Sequence, residues 1–164
     1  MSEAPQERVR VGTLDGKTEA QLAAIYQELI LDHYRRPRNK GALPEADARA
    51  ERKNPLCGGE LVVEVAFDGD VVREARFTGR GCSISQASAS MLTEAVRGRT
   101  RAEVAVLLAR FTEFVHGRAP ADGMPADLRA LGGVARFPAR LKCATLAWSA
   151  LAEGIAAAPR AAAP

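Results

Sequence analysis

The chain has 164 residues, 47% of them apolar and 26% charged, enough for one domain whose core needs no disulfide staples. Its 23 basic residues are interleaved with 20 acidic ones, for a net charge of +3, and aromatics make up 5%; without a massed basic face or rings to stack on, a nucleic-acid partner is not expected. No run approaches the ~18 apolar residues of a membrane span, and residues 1–17 lack the apolar stretch of a signal peptide, so the expected location is cytoplasmic with no membrane partner.

Residues 1–17 mix Pro, Gly and charge and read as a flexible N-terminal tail. A single domain follows over 18–157. Thr18 and Gln21 have capping-box spacing, and Leu22, Ile25, Tyr26, Leu29, Ile30 and His33 then recur at helical period until Pro37 ends the pattern. Residues 38–54 show no clear period and read as loop with room for a short edge strand. Residues 60–67 alternate as a strand, Asp68-Gly69 is a hairpin signal, and 71–78 return as the second strand. Gly79-Arg80-Gly81 is expected to break the sheet.

Helices follow. One spans 83–97, with Gly98 as its stop. Thr100 and Glu103 form a second capping box, opening a helix to about His116. Residues 117–138 carry Gly, Pro and a short helical piece at 126–131. The last helix runs over 139–157, where Leu141, Ala144, Trp148, Leu151 and Ile155 form one apolar stripe. Residues 158–164, Ala, Pro and Arg, read as a C-terminal tail. Strands first and helices after predict an α+β fold, a small antiparallel sheet packed against several helices on one side. Two strands alone are marginal, so a third is expected at 48–56.

The three cysteines, Cys57, Cys82 and Cys143, are an odd count, which argues against a disulfide framework and leaves free, metal-bound or catalytic thiols. Cys57 sits in Asn54-Pro55-Leu56-Cys57-Gly58-Gly59 before a strand, Cys82 after Gly79-Arg80-Gly81 before a helix, and Cys143 in the first turns of the last helix. A helix N-terminus favours thiolate, the form that binds metal and attacks electrophiles, and two of the three have that setting. The alternative is three small core hydrophobes. The spacings of 25 and 61 residues contain no Cys-x-x-Cys, so a site exists only if the fold brings the segments together. His33, on the apolar stripe, reads as a hydrogen-bonded structural histidine and His116 as a helix cap. Arg80 and Lys142 are placed to lower a neighbouring thiol pKa or simply to be solvated.

Four segments in order carry a resemblance: Leu31-Asp32-His33-Tyr34 with Pro37-Arg38-Asn39; Asn54-Pro55-Leu56-Cys57-Gly58; Gly81-Cys82-Ser83-Ile84-Ser85; and Arg140-Leu141-Lys142-Cys143-Ala144-Thr145-Leu146-Ala147-Trp148. Together they resemble the SufU branch of the IscU/NifU N-terminal family of iron–sulfur cluster assembly proteins, over about residues 20–155. The long gap from Cys82 to Cys143, with an extra segment expected within 112–135, is similar to SufU-type proteins. So is Lys142, where IscU-type scaffolds have a histidine.

The resemblance implies an IscU/NifU N-terminal-like fold and one zinc ion on Cys57, Cys82 and Cys143, with an Asp two residues after the first cysteine as fourth ligand. It implies a sulfurtransferase-like accessory protein that stimulates a SufS-type cysteine desulfurase. Cys57, freed by rearrangement of the zinc ligands, would accept persulfide sulfur for a downstream iron–sulfur scaffold. Its alternatives are a scaffold that assembles and transfers a [2Fe–2S] cluster, and a structural zinc-binding module. The sequence departs from the family at the fourth ligand, where Gly59 stands in place of Asp. Glu60 can replace it only if the strand starts later or is bulged, since strand neighbours point to opposite faces; otherwise zinc keeps an open position.

Overall fold

Alternation builds the central strand. β2 (Gly59–Asp68) buries Leu61, Val63 and Val65 at every second position, while Glu60, Val62 and Glu64 point to the opposite face. The computed structural model describes residues 19–55 and 58–158, and in it β2 lies between β1 (Ala48–Asn54) and β3 (Val71–Arg80), all antiparallel, in the order β1-β2-β3. The edge strand expected at 48–56 is β1. The hairpin turn lies one residue later than expected: Asp68 pairs with Val71, so Gly69 and Asp70 make the turn, and Gly69 takes the positive φ of 62° at its first position.

The expected break at Gly79-Arg80-Gly81 is a correction. β3 stays paired through Gly79, opposite Leu61, and Arg80, opposite Glu60. Gly79 has φ 122°, and a Cβ there would run into the Glu60 carbonyl. The glycine allows a close backbone approach rather than ending the strand.

Among the described residues four α-helices and a 3-10 helix lie on the apolar side, α2 and α4 against the strands and the others against those helices. α1 spans Glu19–Arg35; its expected cap, Thr18, lies outside the described residues. α2 spans Ser83–Val96, and Gly98, at φ 83°, turns the chain away. α3 (Arg101–Val115) opens on the expected capping box, with Glu103 N–H donating to Thr100 Oγ1 and Thr100 N–H to Glu103 Oε1, both at 3.1 Å. α4 (Pro138–Ala157) starts one residue earlier than expected because Pro138 takes the first turn, where its missing N–H costs nothing. α4 packs on β1 and β2, and α2 on β3, α1 and α4. Phe111 stacks on Trp148 at 3.9 Å between ring centroids in the core.

The segment between α3 and α4 is more structured than expected. A 3-10 helix runs over Ala126–Arg136 and buries Leu128, Leu131 and Val134. Its Gly132 lies against the Phe114 ring, where a Cβ would come within 2.9 Å of Phe114 Cζ. The tails expected at 1–17 and 158–164 fall, apart from Ala158, outside the described residues.

Candidate metal and sulfur site

Cys82 stands where β3 hands over to α2. It is the N-cap of α2, with extended backbone (φ −71°, ψ 171°). Gly81 allows the turn, since a Cβ there would collide with Ser85 Oγ. Burial pushes the Cys82 thiol up, but the Ser85 amide, the Cys143 thiol, the Ser85 hydroxyl and the Ile84 amide outweigh it and hold it below the ordinary 9.0. No full capping hydrogen bond forms at Cys82; its sulfur is close enough to feel the field of the unpaired first-turn amides. Arg80 is not among these causes. It is 81% exposed and its guanidinium lies 3.4 Å from Glu60.

Cys143 reaches the same place from α4. It is 2% exposed, and its Sγ lies 3.8 Å from the Ala139 carbonyl and within hydrogen-bonding reach of Cys82. The expectation of a helix-N-terminal setting holds for Cys82 and not for Cys143. Cys143 is the sixth residue of α4, beyond the orphan amides, and its partner on α4 is a carbonyl. What fixes it against Cys82 is a buried link between the two helices. Ser88 on α2 donates to the Ala144 carbonyl at 2.6 Å and accepts the Trp148 indole N–H at 3.0 Å.

Cys57 and Leu56 lie outside the described residues. Their flanks are described. Gly58, at φ 69°, donates its N–H to the Asn54 carbonyl at 2.9 Å, and Asn54 pairs with Gly59 at the end of the β1–β2 ladder. Asn54 and Pro55 share a surface hollow with Lys142, Thr145 and Leu146 of α4. On the other side, the Gly59 Cα lies 3.6 Å from where a Gly81 Cβ would be. The flanks of Cys57 therefore lie near the neighbours of both Cys82 and Cys143.

Glu60 is turned elsewhere. β2 begins at Gly59, Glu60 is already in register with Lys53 and Arg80, and the irregularity in β2 is at Ala66/Phe67. Its carboxylate lies 3.4 Å from Arg80 Nε and 3.8 Å from Lys53 Nζ on the face away from Leu61. Gly59 shares the core side with Leu61 and supplies no ligand there.

A second cluster was not foreseen. His33, Glu94 and Asp127 place one ligand atom each within 4.8 Å of one another, the group of three His, Cys, Asp or Glu side chains found at that range among the described residues. His33 is fully buried, with Nδ1 2.8 Å from Ser90 Oγ and Nε2 2.7 Å from Asp127 Oδ2. Ser90 Oγ also accepts the Arg38 N–H at 2.8 Å, and the Asp127 carboxylate oxygen, an acceptor when ionised, faces Nε2. Beside it, Asp32 accepts from Arg36 and Arg38, both at 2.6 Å, and Asn39, at φ 59°, donates to Thr93. The Leu31–Asn39 stretch thus pins the end of α1 to α2 and the 3-10 helix. His116 is the C-cap of α3, as expected, with Nδ1 2.7 Å from the Thr112 carbonyl.

A family model described as the NifU-like N terminal domain matches residues 25–162. The zinc-dependent sulfurtransferase SufU of Bacillus subtilis (strain 168) is 44% identical over 139 residues, 84% of this chain and 93% of that protein. The iron–sulfur cluster assembly scaffold protein IscU of Streptococcus pyogenes serotype M1 is 41% identical over 137 residues, 83% of this chain and 86% of that protein. The crystal structure of the N-terminal part of a nitrogen-fixing NifU-like protein from Brucella abortus matches with a TM-score of 0.73 at 27% identity, covering 80% of this chain and 92% of that one. No described helix is long and apolar enough to cross a membrane.

Proposed function

The chain belongs to the NifU-like N-terminal domain family, with SufU and IscU iron–sulfur cluster assembly proteins among its relatives, and we propose that it is a zinc-dependent sulfur acceptor, taking persulfide sulfur from a SufS-type cysteine desulfurase on Cys57. The observation that carries this reading is the meeting of Cys82 and Cys143, two thiols from different elements, beside the flanks of Cys57. Thiol sulfurs hydrogen-bond only weakly, so such contacts are readily exchanged for a metal bond. The donor set fits zinc, which thiolates prefer over hard cations. Cys57, Cys82 and Cys143 would hold it, and bound zinc would keep the thiols ionised near neutral pH.

The residues then divide the work. Cys82 and Cys143, set in α2 and α4, fix the two helices to one point. Cys57, in a connection closed by the Gly58–Asn54 hydrogen bond, is the thiol that meets the desulfurase. Its thiolate attacks the outer sulfur of the desulfurase persulfide. The persulfide S–S bond breaks, the desulfurase cysteine leaves as thiolate, and Cys57 keeps the sulfane sulfur with no net oxidation. A downstream scaffold then takes that sulfur.

The IscU relative at 41% identity favours a second reading, assembly of a [2Fe–2S] cluster on the same thiols. Lys142 before Cys143 and Gly59 after Cys57 offer fewer protein ligands than such a cluster takes. The test is transfer from a desulfurase with cysteine as substrate, read by mass spectrometry of the peptides. The relay predicts one added sulfur on Cys57, and none on a folded Cys57→Ser variant with lost stimulation of the desulfurase. Sulfur only on Cys82 or Cys143, or stimulation unchanged in Cys57→Ser, would overturn it.

A further inference from the structure

As metal ligands Cys82 and Cys143 never react with each other, yet their placement suits that reaction. Both are thiols, they come from different elements, and the Cys143 thiol is within hydrogen-bonding reach of the Cys82 sulfur. Their surroundings are unequal. Cys82 is half-buried at the N-cap of α2, whereas Cys143 lies inside α4 and is 2% exposed. A dissolved oxidant therefore reaches Cys82 before Cys143. The two helices are tied beside the pair, where Ser88 of α2 donates to the Ala144 carbonyl and accepts the Trp148 indole N–H. Such a tie presents one thiol to the other at a high effective concentration. Closing a disulfide brings the sulfurs to about 2 Å. Cys82 is the one with room to move, since it precedes the first turn of α2 and follows Gly81.

We propose that Cys82 and Cys143 are a redox pair: in the metal-free chain a small-molecule disulfide of the glutathione type oxidises them to one intramolecular disulfide, which withdraws both thiols from metal binding. This rests on the zinc reading of the site. The Cys82 thiolate attacks the oxidant, whose S–S bond breaks and releases one thiolate, leaving Cys82 as a mixed disulfide. Cys143 then loses its proton to solvent and attacks the Cys82 sulfur; the mixed disulfide breaks and a second thiolate leaves. Two protein thiols lose two electrons and two protons, and the oxidant becomes two thiols. Bound zinc blocks the sequence, because it holds the electron pairs with which the sulfurs would attack. The oxidised pair in turn has no thiolate to offer a metal. Loss of zinc thus becomes a covalent state that a reducing thiol reverses.

The test adds glutathione disulfide to the full-length chain, zinc-loaded and chelator-stripped, and maps the unreduced peptides by mass spectrometry. The stripped chain should yield linked Cys82 and Cys143 peptides, and the zinc-loaded chain should yield them about tenfold more slowly. Dithiothreitol should return the oxidised chain to full zinc binding. Cys57→Ser, which leaves these two cysteines alone in the chain, should still form the link. In Cys143→Ser the reaction should stop at one glutathione on Cys82. A stripped chain that carries glutathione on Cys82 with no link to Cys143 would overturn the pair. So would all three cysteine pairings in proportion, as an unfolded chain gives, or loss of the link in Cys57→Ser. Linkage at the same rate with and without zinc, or a chain that binds no zinc, would overturn the zinc reading and leave the pair standing on the stripped chain's result.

Discussion

Among the described residues two clusters hold side chains of metal-binding type, and they are finished in opposite ways. Both ring nitrogens of His33 have hydrogen-bonding partners. Ser90 serves one ring nitrogen, Asp127 the other, and the Arg38 N–H donates to Ser90 as well. Arg38 also lies 3.7 Å from Glu94, bringing a positive charge to the place a cation would occupy. At Cys82 and Cys143 the partners include the other thiol, a carbonyl at 3.8 Å, the Ser85 hydroxyl and the Ser85 and Ile84 amides. Thiols tolerate burial because they are nearly apolar, and their hydrogen bonds are weak enough to be exchanged for a metal bond. A cluster tied together by strong hydrogen bonds and ion pairs suits a structural role; one held by weak thiol contacts suits the proposed chemistry.

The contrast can be broken most sharply by removing a thiol. Cys82→Ser or Cys143→Ser should weaken zinc binding by about 100-fold or more, since each removes one ligand from a small set, and a competing chelator would measure it. His33→Ala should leave the zinc content unchanged. Its cost falls on stability, about 3 kcal/mol in urea unfolding, because it opens a buried cavity and removes the ring's hydrogen bonds to Ser90 and Asp127. Lost zinc in folded His33→Ala would merge the two clusters into one system.

A smaller effect is expected beside His33 at Asp32. Burial raises the Asp32 pKa, but the Arg38 and Arg36 guanidinium groups bring it below the ordinary 3.8. In the folded state the carboxylate then keeps its charge to lower pH than in the unfolded chain. Its contribution is fully present above pH 3.8 and fades as pH falls through the lower folded value. Asp32→Asn should cost about 1 kcal/mol at pH 7, allowing for the exposure of Arg36. The gap from the parent should narrow only below that point, as acid titrations of stability would show. The smallest effect is at neither cluster. Thr100→Ala removes the α3 capping box and should cost about 1 kcal/mol with metal binding and sulfur acceptance intact.

How much of each cluster was legible in the sequence follows from how local its causes are. The Cys82 setting is local, since Gly81-Cys82-Ser83 is a strand end, a cap and a helix start in consecutive residues. The capping box at Thr100 and the stop at Gly98 were readable for the same reason. Cys143 lies 61 residues from Cys82, and its place at the site came from the resemblance rather than from spacing. The helix-dipole argument then failed for it, because it sits a full turn too deep in α4. The His33 cluster was half visible: the periodicity put His33 on a buried stripe, but its partners are 57 and 94 residues away. Gly79 misled because a glycine permitting close approach to Glu60 and a glycine ending a strand look alike in sequence. The 3-10 helix outgrew its expected length because its anchors, Phe114 and His33, belong to other elements.

The central claim is that the cysteine site holds metal through its thiols for sulfur transfer rather than for a cluster of its own. Metal and acid-labile sulfide content per chain, on untagged protein purified without oxygen, tests it most directly. The account predicts about one zinc per chain with no sulfide, lost in Cys82→Ser and kept in His33→Ala. Iron with matching sulfide, or a folded parent protein with no metal, would contradict it.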